Sequence, residues 1–219
     1  NVMGTGGVKF MLENGKRSAL RQYVLAPSCI PSVPGMESTG AVFNAEEVGE
    51  LLDLPDVIGV AEVMDYGGVY QDSHRMHSII EEGMKRGCYL QGHAPYVTGK
   101  ELAAYRLGGP VGDHESVLPS EVNEKLRNGI HVNLRASSLI DSLKELVKGF
   151  KDHRWRDFVS VCTDDVHAAD LLTIGHINAV VGKGISYGVD PVEMYKFATF
   201  NAAREYGFDD LGAIAPGYL

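Results

Sequence analysis

Short apolar runs rich in β-branched residues recur along this chain, each followed by an amphipathic stretch, and that rhythm limits the fold more than any other feature. The strand-like runs are 23–29 (YVLAPSC), 57–64 (VIGVAEVM), 88–93 (CYLQGH), 111–115 (VGDHE), 130–135 (IHVNLR) and 158–163 (FVSVCT). Helical patterns fall between and after them, at 45–52, 73–86, 99–107, 120–128, 137–150, 167–181, 190–200 and 201–208. Several end near a Gly or Asn, the residues that tolerate the left-handed conformation that stops a helix. Strands alternating with helices predict βαβ units and a parallel sheet. Runs as continuously apolar as FVSVC fit strands covered on both faces. Periodicity alone leaves both a doubly wound sheet and a (β/α)₈ barrel open.

The polar residues decide between them. Ionisable groups stand repeatedly at or just beyond the C-terminal end of a strand: Glu62, His93, His114, Arg135 and the pair Asp164–Asp165. Their spacings, 31, 21, 21 and 29 residues, are each about one βα unit. Singly, each has a bland reading: Glu62 as a charge at a loop start, His93 as a turn histidine, an aspartate after Thr163 as a helix cap. Capping accounts for one aspartate, not two. In a barrel these strand ends converge on one mouth, where active sites sit. Two imidazoles and two or three carboxylates meeting there form a mixed N/O donor set, suited to Zn²⁺, Fe²⁺ or Mn²⁺ rather than Ca²⁺ or Mg²⁺.

The bulk properties narrow the partners. With 44% hydrophobic and 22% charged residues the chain carries ample core material, and a net charge of −9 disfavours binding to phosphate backbones, so no nucleic-acid partner is expected. No apolar stretch approaches the roughly 20 residues of a membrane-spanning helix. Cys29, Cys88 and Cys162 are odd in number and lie in apolar runs, which predicts buried, reduced thiols and a cytoplasmic location. Oligomeric state is not legible, although homo-oligomers are common among soluble proteins.

The runs APSCIPSVPGMESTGA (26–41), GVAEVMDYGGV, QGHAPYVTGKELAAY, GDHES and VCTDDVHAADLLTIGHINAVV, with the tail ATFNAAREYGFDDLGAIAPGYL, resemble the bacterial adenine deaminases of the amidohydrolase superfamily across essentially the whole chain. The resemblance implies a (β/α)₈ barrel of the metal-dependent hydrolase kind that converts adenine to hypoxanthine and ammonia with two divalent metal ions (Mn²⁺, Fe²⁺ or Zn²⁺). It implies that Glu62 bridges the metals, that His93 and His114 ligate one, and that Asp164 ligates the other and shuttles the proton. It also implies that Asp165 and Arg135 contact the substrate, and it leaves Asp113 and Glu115 to orient His114.

The chain departs from that pattern in places. No two histidines are separated by one residue, so the His-x-His motif of the first barrel strand is absent, and His74 and His77 do not replace it. Ala136 stands where an acidic residue is usual, and Asn201-Ala202 replaces the usual Asn-Pro. Six strands where eight close a barrel predict a single domain over 1–219 that lacks the first two βα units and a small β-domain; its open edges invite association. Two alternatives stand beside adenine deamination: another amidohydrolase, either a cyclic amidase or a different nucleobase deaminase, and a non-catalytic degenerate barrel.

Overall fold

A computed structural model describes residues 2–150 and 154–219. By internal contacts the chain divides into two compact units, Asn1–Ala94 with Ala103–Val111, and Pro95–Leu102 with Gly112–Leu219.

The first unit holds three parallel strands, β1 (Val24–Pro27), β2 (Val57–Val63) and β3 (Tyr89–Gly92), paired in chain order. Helices α1 (Gly4–Gly15), α2 (Ala45–Leu52), α3 (Tyr66–Tyr70) and α4 (His74–Lys85) connect or flank them. The alternating apolar faces of α2 and α4 bury Val48, Leu51, Leu52, Met76, Ile79 and Ile80, and Val60 and Leu90 are buried with them. α4 sits so close to the sheet that a Cβ on Gly83 would lie 2.6 Å from Leu90 and 3.1 Å from Val60. A larger residue there would require the Leu90 and Val60 methyl groups to give way.

The second unit holds β4 (Gly112–Asp113), β5 (His131–Arg135) and β6 (Val159–Cys162), also parallel and in chain order. α5 (Gly99–Leu107) lies between β3 and β4 in sequence. α6 (Pro119–Arg127), α7 (Leu143–Phe150), α8 (Ala168–Thr173), α9 (Ile177–Ser186), α10 (Pro191–Ala198) and α11 (Phe200–Glu205) follow in order. Apolar residues of α6, α7, α9 and α10 form one core with Val132, Leu134, Val159 and Val161, in which Phe150 and Phe197 meet edge-to-face at 5.4 Å. All five residues of β5 are buried, but its two faces differ: Val132 and Leu134 enter this core, whereas His131, Asn133 and Arg135 share the opposite face.

On that polar face His131 Nε2 lies 2.7 Å from Ser160 Oγ and 3.4 Å from Glu205 Oε2, while Asn133 donates to Glu205 Oε1 at 2.7 Å. Burial pushes the His131 pKa from 6.5 down to about 3. Below pH 6.5 the unfolded chain therefore takes up a proton that the folded one refuses, so this residue lowers stability as pH falls from about 6.5 toward 3. His131→Gln is expected to flatten that part of the stability profile in urea denaturation from pH 4 to 7; an unchanged slope would refute it.

The six strands fall where sequence predicts, a residue or two shorter at their ends, but the helices bring corrections. The 137–150 segment becomes helical only at Leu143, because Ser137 Oγ bonds both the N–H and the carbonyl of Ile140 and holds a turn there. The 167–181 segment is two helices, broken at Gly175 with φ +113°. α1 and α3 are not anticipated. The three cysteines are free thiols but half-buried rather than fully buried. No helix among the described residues is long and apolar enough to cross a membrane.

Candidate metal and catalytic site

In the first unit Glu62 is the penultimate residue of β2, and His93 follows β3 directly. The parallel register sets Val63 opposite Gly92 and so makes their strand ends neighbours. His93 Nδ1 lies 3.0 Å from Glu62 Oε2. Their backbones are fixed as well. The buried Tyr105 hydroxyl accepts the His93 N–H at 3.0 Å and donates to Val63 O at 2.7 Å, and Ser28 Oγ donates to Glu62 O at 2.6 Å. An imidazole held against a carboxylate in this way is a common element of metal sites, in which an acceptor fixes the ring's tautomer and orientation.

In the second unit His114 and Glu115 follow β4, Arg135 ends β5, and Asp164 lies two residues beyond β6. Arg135 is paired in register with Cys162. One Arg135 nitrogen, Nη1, donates to Glu115 Oε1 and, at 2.7 Å, to Asp164 Oδ2. His114 Nε2 lies 3.6 Å from the same Glu115 oxygen. One donor atom from each of His114, Glu115 and Asp164 lies within 4.8 Å of the others. One imidazole and two carboxylates at that spacing fit a borderline divalent cation, so the donor chemistry matches the metal that the sequence suggests.

Arg135 brings one positive charge against two carboxylates, Glu115 and Asp164. Burial works against its cationic form, but the Asp164 hydrogen bond and the Glu115 charge outweigh burial and raise its pKa above the ordinary guanidinium value. Its second nitrogen, Nη2, is buried and makes no hydrogen bond to the described residues.

The remaining residues are placed as follows. The Asp165 carbonyl accepts the Ser138 N–H at 2.9 Å, and the residue is exposed. Ser138 Oγ in turn donates to Asp170 at 2.6 Å and accepts the His167 N–H, which ties the loop after β5 to the loop after β6. Asp113 is fully buried, and its carboxylate accepts from Lys125 Nζ and from the Glu115 N–H. Glu115, expected only to support His114, has its carboxylate among the donors.

Sequence reasoning passed over Tyr105, Ser138 and Lys125. A signal for Lys125 exists: Val122, Lys125 and Leu126 share one helical stripe, which puts a charge on a face that otherwise points inward.

The Amidohydrolase family model matches residues 1–219. The chain is 38% identical over 218 residues to an adenine deaminase of Petrotoga mobilis and 39% identical over 219 to one of Desulfitobacterium hafniense; each match covers 100% of this chain and 38% of the relative. It is 41% identical to adenine deaminase 2 of Rhizobium meliloti, covering 99% of the chain and 37% of that relative. The chain thus spans well under half the length of these curated relatives. Among solved structures, a β-aspartyl dipeptidase of Fervidobacterium islandicum aligns with TM-score 0.63 and 16% identity over 97% of this chain and 63% of its own. A triazine hydrolase variant aligns with TM-score 0.57 and 14% identity over 96% of this chain and 54% of its own. These structures share the fold: parallel α/β of the TIM-barrel type, of which this chain is part.

Proposed function

The chain belongs to the amidohydrolase family, and from that premise we propose that the protein hydrolyses adenine to hypoxanthine and ammonia. The observation that carries the reading is the match, over this chain's whole length, to proteins named adenine deaminase. The gathering of His114, Glu115, Arg135 and Asp164 at strand ends supports it.

In this reading Glu62 and His93 of the first unit, and His114 and Asp164 of the second, would hold the divalent metal ions, Mn²⁺, Fe²⁺ or Zn²⁺, that the reaction calls for. The chemistry such metals supply when bound is Lewis acidity toward water, whose pKa falls from 15.7 to roughly 7. The protein's own groups do the rest. Water adds to the purine carbon that bears the amino group. Asp164 takes the proton this releases and returns it to the departing nitrogen, the C–N bond breaks, and ammonia leaves. General acid–base work of this kind is typically worth ~10²–10⁴-fold in rate. Arg135 is the residue that would donate to an acceptor on the purine, and Asp165 the one that would accept from a ring N–H. The substrate is a small molecule and the location cytoplasmic.

Ala136 motivates a second reading, because the usual acidic residue is missing beside Arg135. The enzyme would then be an amidohydrolase for another nucleobase or a cyclic amide. Ammonia release by the full-length protein, loaded with Mn²⁺, from adenine and from other nucleobases, together with ring-opening of cyclic amides, separates the two. Adenine is expected to be the best substrate by kcat/KM. Turnover of a cyclic amide with adenine untouched would sink the proposal.

A further inference from the structure

Beneath His114 and Glu115 lies a buried set of charges that the deamination itself does not use. Lys125 and Asp113 are both 0% exposed, Ser116 is 1% and Glu121 2%. Lys125 Nζ donates to Asp113 Oδ1 at 2.5 Å and to Ser116 Oγ at 3.1 Å. The same Asp113 oxygen accepts the Glu115 N–H at 3.0 Å. One turn earlier on α6, Glu121 lies 4.0 Å from Lys125 and accepts the N–H groups of Val117, Leu118 and Tyr96 at 2.7–3.0 Å. A single helix face therefore grips the 113–118 segment at both ends, with His114 between the grips.

A buried ion pair is a poor device for stability, because desolvation offsets most of its attraction and apolar replacements often do as well. What it supplies is direction. An ammonium has three donors and must find acceptors in fixed places, and here two of them belong to the segment that carries His114 and Glu115. We infer that Lys125 is a positioning residue that sets, through Asp113 and Ser116, the placement of His114 and Glu115 as metal ligand and neighbouring carboxylate. The inference rests on the metal-hydrolase reading above and extends it to a residue that touches neither metal nor substrate.

The test uses the full-length enzyme stripped of metal, with calorimetric Mn²⁺ titration and steady-state kinetics on adenine. Lys125→Met is expected to weaken Mn²⁺ binding about 10–100-fold and to lower kcat while KM moves by less than about twofold. Because Asp113 would then be a lone buried carboxylate, the single variant can fail to fold. Combining Lys125→Met with Asp113→Asn removes both charges. This pair is expected to regain the parent melting temperature and yet keep the weakened Mn²⁺ binding. Parent-level Mn²⁺ affinity in either folded variant overturns the inference, because the brace would then serve the fold alone. Should the parent enzyme bind Mn²⁺ but leave adenine unreacted, the substrate reading fails while the Mn²⁺ titrations still decide the role of Lys125.

Discussion

Asp164→Asn in the full-length enzyme is expected to lower kcat for adenine by about 10²–10⁴-fold, the span over which a positioned proton-transfer group works. Asparagine is the informative replacement for two reasons. Asp164 has φ +55°, a left-handed conformation that Asn accepts with little strain, so the backbone stays in place. The amide keeps a hydrogen-bonding oxygen for Arg135 but neither ligates a borderline metal as a carboxylate does nor exchanges a proton at neutral pH. Melting temperature should therefore change little while turnover collapses. Glu62→Gln is expected to fall as far, because it removes the carboxylate that holds His93 and is proposed to bind metal. Near-normal ammonia release from either folded variant would remove that residue from its role.

The second large effect concerns Arg135. Arg135→Met leaves the buried Glu115 carboxylate and the more exposed Asp164 with no cation between them, and breaking the buried Glu115 pair in this way costs about 3–5 kcal/mol. In the metal-free protein this should appear as a matching loss in urea-denaturation free energy. Saturating Mn²⁺ should recover part of that loss, because a divalent cation held by Asp164, as proposed, would offset the negative charge that Arg135 no longer balances, and stabilisation by binding grows with ligand concentration. An Arg135→Met variant as stable as the parent without metal would show that the two ion pairs contribute nothing. A loss of equal size with and without Mn²⁺ would show that the metal does not share their carboxylates.

Much of the fold is legible in the sequence because its signals are local. The β-branched runs that became β2, β5 and β6 read as strands without help from their partners, and the Asn44 start of α2 is fixed by Glu47 accepting the Asn44 N–H. Errors arise where a local signal competes with a longer-range one. Leu171, Leu172 and Ile174 continue an apolar pattern into α9, yet Leu172 is 89% exposed and Gly175 turns the chain between the two helices. α1 escapes notice because it carries glycines at 4, 6, 7 and 15 and buries no residue, so neither propensity nor an apolar stripe marks it.

The candidate site shows the same division. Residue types at strand ends are visible in sequence, since Glu62, His93, His114, Arg135 and Asp164 each close an apolar run. Which of them pair is not visible. The Arg135 contacts to Glu115 and Asp164 depend on strand register between segments 20 and 29 residues away. Lys125 is hidden for another reason: a lysine on a helix reads as solvated until the depth of its face is known.

The divided character of β5 bears on how this protein can diverge. Val132 and Leu134 face a packing of aliphatic and aromatic side chains, where volume is the main requirement and exchange among Ile, Leu and Val costs little. His131, Asn133 and Arg135 are each committed to named oxygen partners, so their side of the strand is specified by valence and angle rather than by size. Drift is thus channelled to the apolar, core-facing side, and the polar side changes most readily through concerted replacement of donor and acceptor together.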